Sequence, residues 1–344
     1  MSAPSVVWDV LCIGRSGVDL YPVQVGVPLD KVTEFGKFLG GSAANVAVTA
    51  ARQGRRVAII TKTGADPFGR FVRRELDRTK VDIRFVGTTP DQPTPVTFCE
   101  IFPPDRFPLY FYRSSCTPDL TVQADDLPRD DIAAARVYWS TLTGLSRQPS
   151  RDAHLAAWQA RGRTPWTVID LDYRPPFWDG GENEARAWGQ IAVRHCTVAV
   201  GNQEECRVAT GQAEPLAAAQ ALLDLGAELA VVKLGASGAV AMTGSQSCQI
   251  PSYPVHIVNG LGAGDAFGGA LCHGWLSGWE TAETLRYANA AGAYVAAHLE
   301  CAAAAPTPAQ LACFMEQWPD RPAADRSGPH QVPRHDSTAR HKEC

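Results

Sequence analysis

The last third of the chain contains the run Asn259-Gly260-Leu261-Gly262-Ala263-Gly264-Asp265. A helical pattern of apolar residues follows it and includes Phe267, Leu271 and Trp275. A glycine-rich helix start leaves backbone N–H groups unpaired and directed at one point, with the positive end of the helix dipole behind them. The run therefore predicts an anion site. A carboxylate beside a bound phosphate is unfavourable unless it has a chemical task, and accepting a proton is such a task.

Elsewhere, short apolar segments alternate with helical patterns along most of the chain. The predicted strands are 6–13, 57–60, 136–139, 167–171, 197–200 and 229–233, and the predicted helices include 42–51, 68–76, 153–160 and 216–225. Such alternation predicts an α/β fold in which helices cover both faces of a mostly parallel central sheet.

Two segments, at about 23–39 and 94–114, alternate polar and apolar residues and carry several aromatic rings. This period is typical of antiparallel strands, and we expect a small β lid inserted into the α/β domain. A lid that closes over a substrate excludes water, which matters when water is a competing acceptor. From Pro319 to Cys344 the chain is rich in Pro, Arg, Asp, Ser and His, and this composition predicts a disordered tail.

The composition is that of an ordinary soluble globule and excludes several functions. The 344 residues are 45% hydrophobic and 20% charged, and 32 basic against 36 acidic residues give a net charge of −4. We therefore expect no affinity for nucleic acid or an anionic membrane. No apolar run reaches the ~18 residues of a membrane span, and Met1 to Pro4 begins no signal peptide. The ten scattered cysteines form no C-x-x-C pair, which predicts reduced thiols in a cytoplasmic protein.

Two familiar phosphate-binding signatures are absent from the sequence. No G-x-x-x-x-G-K-[ST] run occurs, and residues 260–264 do not read G-x-G-x-x-G because Asp265 takes the place of the third glycine. The histidines also lack metal-ligand spacing such as H-E-x-x-H. The anion site therefore belongs to neither a P-loop protein nor a dinucleotide-dependent dehydrogenase.

A second glycine motif, Gly40-Gly41-Ser42-Ala43-Ala44-Asn45, opens an early helix, and Gly14 and Asp19 follow the first predicted strand. Taken in order with residues 260–265, this set resembles the ribokinase-like (PfkB) family of carbohydrate kinases. The resemblance covers about residues 6–318. It implies one ribokinase-like domain that transfers a phosphoryl group from ATP to a sugar hydroxyl, with the β lid over the sugar.

The resemblance assigns catalytic roles within the late glycine run. Asp265 matches the general base, which takes the proton of the attacking hydroxyl. Gly262, Ala263 and Gly264 match the anion hole that stabilises the transferring phosphoryl group. Without the resemblance, Asp265 would be a common acidic residue at a helix start.

The resemblance also implies a nucleotide side. The matching positions are Asn202, Glu205, Lys233, Gly235, Gly238, Gly260 and Asn289. Asn202 and Glu205 form an N-x-x-E motif that organises Mg²⁺, with Glu205 acting through water. From the residues alone, the same motif is equally well explained as a helix N-cap with acids in its first turn.

On the sugar side, Asp19, Gly40, Gly41 and Asn45 match contacts to substrate hydroxyls. Arg113 and Arg174 match the same pocket, and guanidinium groups there favour an acid sugar because arginine binds a carboxylate bidentately. The alternative for each arginine is a surface ion pair with a nearby acid.

Residues 12–21, 38–48 and 171–178 resemble more narrowly the subgroup that phosphorylates the C6 hydroxyl of 5-dehydro-2-deoxygluconate in inositol catabolism. The alternatives are a 2-keto-3-deoxygluconate kinase, a ribose- or fructose-type kinase, and a non-catalytic sugar- or nucleotide-binding protein. The sequence also leaves open a homodimer. Asn259-Gly260 replaces the Asp-Thr pair associated with a K⁺ site in many members, so a K⁺ site here would rest on backbone carbonyls. Residues 112–115 lack the acid expected after Arg113 in this subgroup.

Overall fold

The computed structural model describes residues 7–113 and 116–318. The predicted disordered tail and Ser114–Ser115 lie outside the described residues. The described strands are β1 Val10–Ile13, β2 Gly17–Pro22, β3 Phe35–Gly40, β4 Val57–Gly64, β5 Val81–Asp82, β6 Val86–Thr89, β7 Val96–Cys99, β8 Leu109–Tyr112, β9 Val137–Thr141, β10 Thr167–Asp170, β11 Val198–Asn202, β12 Leu229–Lys233, β13 Ala239–Thr243 and β14 Ser247–Ile250.

Of the described helices, seven lie between these strands in sequence and three follow the last strand. They are α1 Ser42–Arg52, α2 Pro67–Arg78, α3 Arg129–Ala134, α4 Ser150–Arg161, α5 Gly181–His195, α6 Gln203–Thr210, α7 Pro215–Asp224, α8 Ala263–Ser277, α9 Thr281–Ala296 and α10 Pro308–Glu316. No helix in residues 7–113 or 116–318 is long and apolar enough to cross a membrane.

The central sheet confirms the predicted α/β class. Its strand order is β14-β13-β12-β11-β10-β9-β1-β4-β5, with β6 also paired to β4. The pairs from β12 through to β4, and those of β4 with β5 and β6, are parallel, whereas β13 and β14 close one edge as antiparallel strands. Because both faces of this sheet are buried, its strands read as continuous apolar runs rather than alternating ones.

Successive residues of each central strand enter two different cores. In β1, Val10 and Cys12 pack into one apolar cluster with residues of α1, α8 and α9. Leu11 and Ile13 pack into the opposite cluster with residues of α4, α5, α6 and α7. Helices therefore cover both faces, as the sequence predicts, and the carboxyl ends of the parallel strands stay free to carry polar residues.

A second sheet of four strands, in the order β3-β2-β7-β8, forms the lid. The β2–β3 and β7–β8 pairs are antiparallel, and β2 pairs with β7 in parallel. The sequence predicts lid segments at 23–39 and 94–114, and β3, β7 and β8 lie in them or at their edge.

The central lid strand β2 was not foreseen, and residues 23–34 contain only a short 3-10 turn at Leu29–Lys31. Because β2 is hydrogen-bonded on both edges and almost wholly buried, its sequence lacks the polar–apolar alternation. The polar–apolar alternation at 23–26 predicts a strand with one buried face, but Val23 and Val25 are 53% and 46% exposed and no strand forms there.

Candidate active site

Polar residues gather where the parallel strands end. Arg15 follows β1, Asp170 ends β10, Asn202 ends β11 and Lys233 ends β12. The carboxyl ends of parallel strands lie along one edge of the sheet, which is where open α/β sheets bind ligands. The amino-terminal end of α8 and the lid meet this edge and complete a cavity, which includes six of the sequence-predicted site residues: Asp19, Gly41, Asn45, Arg174, Gly262 and Asp265.

The two glycine motifs of the sequence meet at Asp265. Its carboxylate accepts hydrogen bonds from Ser42 Oγ at 2.9 Å and from Asn45 Nδ2 at 2.7 Å, across more than 200 residues of chain. Both donors lie in the first turns of α1, so the helix that follows Gly40-Gly41 holds the carboxylate on α8 in one orientation. A carboxylate fixed in this way at the wall of a cavity is placed to receive a proton.

The pKa of Asp265 supports that function. Burial, and then the neighbouring Asp172 carboxylate, raise this pKa to about 6, while the hydrogen bonds from Asn45 and Ser42 and the charge of Lys233 act against the rise. A pKa near 6 leaves the carboxylate ionised at neutral pH and makes it a stronger base than an ordinary aspartate.

The start of α8 has the geometry of an anion site. Gly262 is the N-cap residue with φ +77°, and no side chain caps the 15-residue helix, so its first N–H groups lack side-chain acceptors. The Lys233 ammonium lies beside this helix start, 3.4 Å from the point that a Cβ on Gly264 would occupy. On the lid side, a Cβ on Gly260 would meet the Phe107 ring at 2.8 Å. Glycine at position 260 lets the lid approach the helix terminus, whereas a Cβ on Gly264 would make only an ordinary van der Waals contact with the ammonium.

The N-x-x-E motif forms a helix cap. Asn202 Oδ1 accepts from the Glu205 N–H at 2.9 Å, and Glu205 Oε2 accepts from the Asn202 N–H at 2.7 Å. This reciprocal pair is the capping box that the residues alone also allowed. Glu205 is nevertheless buried and turned toward the site, where it pairs with Arg174 at 3.2 Å and lies 3.9 Å from Lys233. Its predicted function at Mg²⁺ stays a prediction.

Buried charges form a network beneath the cavity. Arg174 pairs with Asp172 at 2.6 Å, and Lys233 lies 3.5 Å from Asp170. Burial raises the pKa of Asp170 to about 7, although the Lys233 charge lowers it. Burial alone would lower the pKa of the Lys233 ammonium, but the carboxylates of Asp170 and Glu205 raise it, so the ammonium keeps its proton.

Acidic groups outnumber basic groups in this network. Asp170, Asp172, Glu205 and Asp265 are four carboxyl groups, and two cations, Lys233 and Arg174, face them. No cluster of three or more His, Cys, Asp or Glu side chains within 7–113 and 116–318 is arranged to hold a metal by itself. Excess carboxylate without a complete ligand cage suits Mg²⁺, which commonly takes one or two carboxylates, waters and the phosphates of a substrate.

The remaining nucleotide-side residues do not line the cavity with Asp265. Asn289 donates from Nδ2 to the carbonyl oxygens of Ile250 at 3.0 Å and Pro251 at 3.3 Å. Gly238 has φ +97°, and a Cβ there would lie 2.0 Å from the Ile250 oxygen. Gly235 begins the exposed 3-10 turn between β12 and β13. The Asn289 hydrogen bonds join α9 to the end of β14, and nucleotide binding by these three residues stays a prediction.

Asn259 is fully buried and holds the loop that precedes α8. Its Nδ2 donates to the Leu299 oxygen at 2.7 Å, and its Oδ1 accepts from the Leu261 N–H at 3.0 Å. At the position where the family resemblance leads us to expect a carboxylate, this chain therefore has an amide that joins two loops.

Arg113 lies outside the cavity that contains Asp265. Its Nη2 donates to Thr117 Oγ1 at 2.7 Å, and its guanidinium lies 4.1 Å from the centre of the Phe177 ring. It lines a neighbouring cavity together with Phe111 and Arg147. The structure thus separates the two arginines that the sequence places in one pocket, since Arg174 lines the first cavity and Arg113 does not.

Asp19 occupies the lid side of the first cavity. Tyr21 donates its hydroxyl to Asp19 Oδ2 at 2.8 Å, and burial raises the pKa of Asp19 against the opposing charge of Arg15. A Cβ on Gly40 would lie only 2.0 Å from Asp19 Oδ1, so the glycine leaves the space that the carboxyl group fills.

Gly40→Ala should therefore displace Asp19 and raise the KM for the sugar that the resemblance to carbohydrate kinases implies by roughly tenfold or more, the order expected when a hydrogen bond to a charged group is lost. The KM for ATP should change little. Gly244→Ala is the matched control, because no atom lies within 4 Å of its Cβ. Steady-state kinetics with each substrate varied would show this, and an equal rise in both KM values would contradict it.

Several lining residues escaped the sequence interpretation. They are Arg15, Tyr21, Ser42, Thr97, Leu109, Phe111, Leu261 and Cys301. Arg15 offered a usable signal, since it follows Gly14 directly at the end of the first strand. Cys301 gave none, because only the fold brings its thiol within 3.1 Å of the Leu261 oxygen.

Comparison with known proteins adds independent information. The family model described as pfkB family carbohydrate kinase matches residues 8–308. The 5-dehydro-2-deoxygluconokinase of Geobacillus kaustophilus (strain HTA426) is 31% identical over 323 residues, which cover 92% of this chain and 96% of that protein. A fructokinase of Xylella fastidiosa with bound ATP has a TM-score of 0.79 at 22% identity, covering 91% of this chain and 100% of that one. A fructokinase double mutant of Vibrio cholerae O395, in its fructose-, ADP- and potassium-bound form, has a TM-score of 0.78 at 27% identity, covering 90% and 99%.

Proposed function

This chain belongs to the pfkB family of carbohydrate kinases, and from that premise we propose that it phosphorylates the C6 hydroxyl of a sugar acid, 5-dehydro-2-deoxy-D-gluconate. The observation that carries the proposal is the Asp265 carboxylate, held by Ser42 and Asn45 between an uncapped helix start and a cavity with arginine in its wall.

The proposed reaction uses the residues in three ways. Asp265 takes the proton of the C6 hydroxyl while the oxygen of that hydroxyl bonds to the γ-phosphorus of ATP. The bond from that phosphorus to the β–γ bridging oxygen breaks, and ADP leaves. The N–H groups of residues 262–264 and the Lys233 ammonium stabilise the charge on the transferring phosphoryl group. Asp19, Gly40, Gly41 and Asn45 position the sugar.

The acidic substrate is supported by two lines. The relative from Geobacillus kaustophilus is named for 5-dehydro-2-deoxygluconate. Arg15 and Arg174 both line the cavity, and guanidinium groups suit a carboxylate. A 2-keto-3-deoxygluconate kinase is the second candidate, because the same arginines suit its substrate equally well.

Mg²⁺ and K⁺ have different support in this chain. The carboxylates of Glu205 and Asp170 would hold Mg²⁺ through water together with the ATP phosphates, and the ion would neutralise phosphate charge. The amide of Asn259 supplies no charge for K⁺, so K⁺ binding would depend on backbone carbonyls. Turnover measured with and without K⁺ tests that dependence. A homodimer and a cytoplasmic location stay predictions.

Coupled ADP release across 5-dehydro-2-deoxygluconate, 2-keto-3-deoxygluconate, ribose and fructose tests the function directly. We expect the highest kcat/KM with the first compound. A higher value with 2-keto-3-deoxygluconate would favour the second candidate. Preference for ribose or fructose, or no sugar-dependent release at all, would refute the proposal.

The pH profile should show Asp265 as the base. Because the unprotonated carboxylate reacts and its pKa is about 6, kcat/KM should fall as pH falls through about 6. Asp172→Asn removes a neighbouring negative charge, lowers the pKa of Asp265 and should move this decline to lower pH. Asp224→Asn, on the exposed end of α7, should leave the profile in place. If Asp172→Asn leaves the pH dependence of kcat/KM unchanged, or moves the decline to higher pH, Asp265 is not the base that this dependence reports.

A further inference from the structure

Arg15 is a buried cation that forms no ion pair with any of the described residues. Arg15 is 8% exposed, and its side chain lines the same cavity as Asp265. Within residues 7–113 and 116–318, no carboxylate lies in salt-bridge distance of its guanidinium, although its charge lowers the pKa of the nearby Asp19, and its buried Nε has no hydrogen-bond partner. A buried charge without a partner is costly, and proteins usually pair such groups. The wall of the substrate cavity therefore contains a cation, Arg15, that forms no ion pair within the described residues.

The other two arginines of the site have protein partners, although the buried Arg113 Nη1 and Arg174 Nε also lack a hydrogen-bond partner among the described residues. Arg174 pairs with Asp172 at 2.6 Å and Glu205 at 3.2 Å, and it also donates to the Tyr173 oxygen at 2.9 Å. Arg113 donates to Thr117 and lies outside this cavity. Among the described residues, only the guanidinium of Arg15, of these three, combines a place in the wall of this cavity with the absence of a carboxylate in salt-bridge distance; Asp19 feels its charge from farther away.

Two aromatic rings fix the position of the Arg15 side chain. Its guanidinium carbon lies 5.5 Å from the centre of the Phe111 ring, on the lid, and 6.0 Å from that of Phe177. Cation–π contacts of this kind hold a guanidinium without using its N–H donors. With the Phe111 ring of β8 in this position, the N–H donors of the Arg15 guanidinium thus remain available to a ligand.

We propose that Arg15 receives the carboxylate of the substrate and is the residue that selects a sugar acid over a neutral sugar. This inference rests on the proposed sugar-acid kinase function. Since Asp265 and Arg15 both line one cavity, a single molecule can offer its hydroxyl to the first and its carboxylate to the second. Arg174 then acts mainly within the protein, as a counter-ion of Asp172 and Glu205.

Calorimetric binding of 5-dehydro-2-deoxygluconate and of its uncharged C1 amide tests the inference. Wild type should bind the acid more tightly than the amide by roughly 10- to 100-fold, the range expected for hydrogen bonds to a charged group. Arg15→Gln should abolish that preference, and Arg15→Lys should retain part of it. Arg106→Gln is the matched control, because Arg106 also lies over a lid aromatic ring, Phe102, but is outside the cavity.

The outcomes separate this inference from the proposed function. The inference is overturned if Arg15→Gln leaves the ratio of affinities for the acid and the amide unchanged. It is also overturned if the wild-type protein phosphorylates the acid but binds it no more tightly than the amide. A wild type that neither binds nor phosphorylates the acid instead refutes the proposed function. ATP binding by Arg15→Gln shows that the variant is folded, and loss of the ratio in Arg106→Gln as well would assign the preference to lid closure rather than to Arg15.

Discussion

Asp265→Asn should lower kcat by roughly 10²- to 10⁴-fold, the range contributed by a general base. The amide of asparagine cannot take the hydroxyl proton. It still occupies the same volume, and its oxygen can accept from Asn45 or Ser42, which now donate to the carboxylate. Sugar and ATP binding should therefore persist while the chemical step is lost. Single-turnover ADP release, measured beside calorimetric binding of each substrate, separates these two effects.

Asp131→Asn is the matched control for this loss. Asp131 is also a partly buried aspartate with a side-chain donor, Trp8 Nε1 at 2.8 Å, but it lies on α3 away from the cavity. It should keep wild-type kcat. Wild-type turnover by Asp265→Asn would refute the base mechanism. Wild type that binds sugar and ATP without turnover would favour the non-catalytic alternative.

The glycine motifs were informative from sequence because their signal is local. Each motif needs a particular backbone at a helix start, and Gly262 has the positive φ that such a run permits. The central strands were equally readable, since their burial on both faces requires continuous apolar segments. The meeting of Asn45 with Asp265 could only follow from the family resemblance, because more than 200 residues separate them in sequence.

The arginines show where the sequence stopped being sufficient. Arg113 and Arg174 carry the same chemistry, yet one stacks on Phe177 and the other is paired with two buried acids. Which cation remains unpaired depends on the positions of all neighbouring acids, and no local pattern records this. Arg15 was overlooked for that reason, although its place after the first strand was visible.

Arg174→Ala should destabilise the protein by about 3 kcal/mol, because breaking one side of a buried ion pair leaves an uncompensated charge. Asp172 is 2% exposed, and Glu205 would lose the same partner. Equilibrium unfolding in urea should show a lower midpoint with little change in slope. Activity needs separate measurement at a temperature where the variant remains folded.

Adding Asp172→Asn to Arg174→Ala should recover part of this loss. The double variant no longer buries the unpaired Asp172 carboxylate, so its free energy of unfolding should exceed that of Arg174→Ala alone. The four proteins form a double-mutant cycle, in which contacting residues commonly couple by about 0.5–3 kcal/mol. Additive effects would show that the 2.6 Å pair contributes no net coupling energy.

If Arg174 also binds the substrate carboxylate, as the sequence predicts, folded Arg174→Ala would lose affinity for the acid but not for its amide. An equal effect on both would leave Arg174 as a counter-ion, which is what its two ion pairs favour.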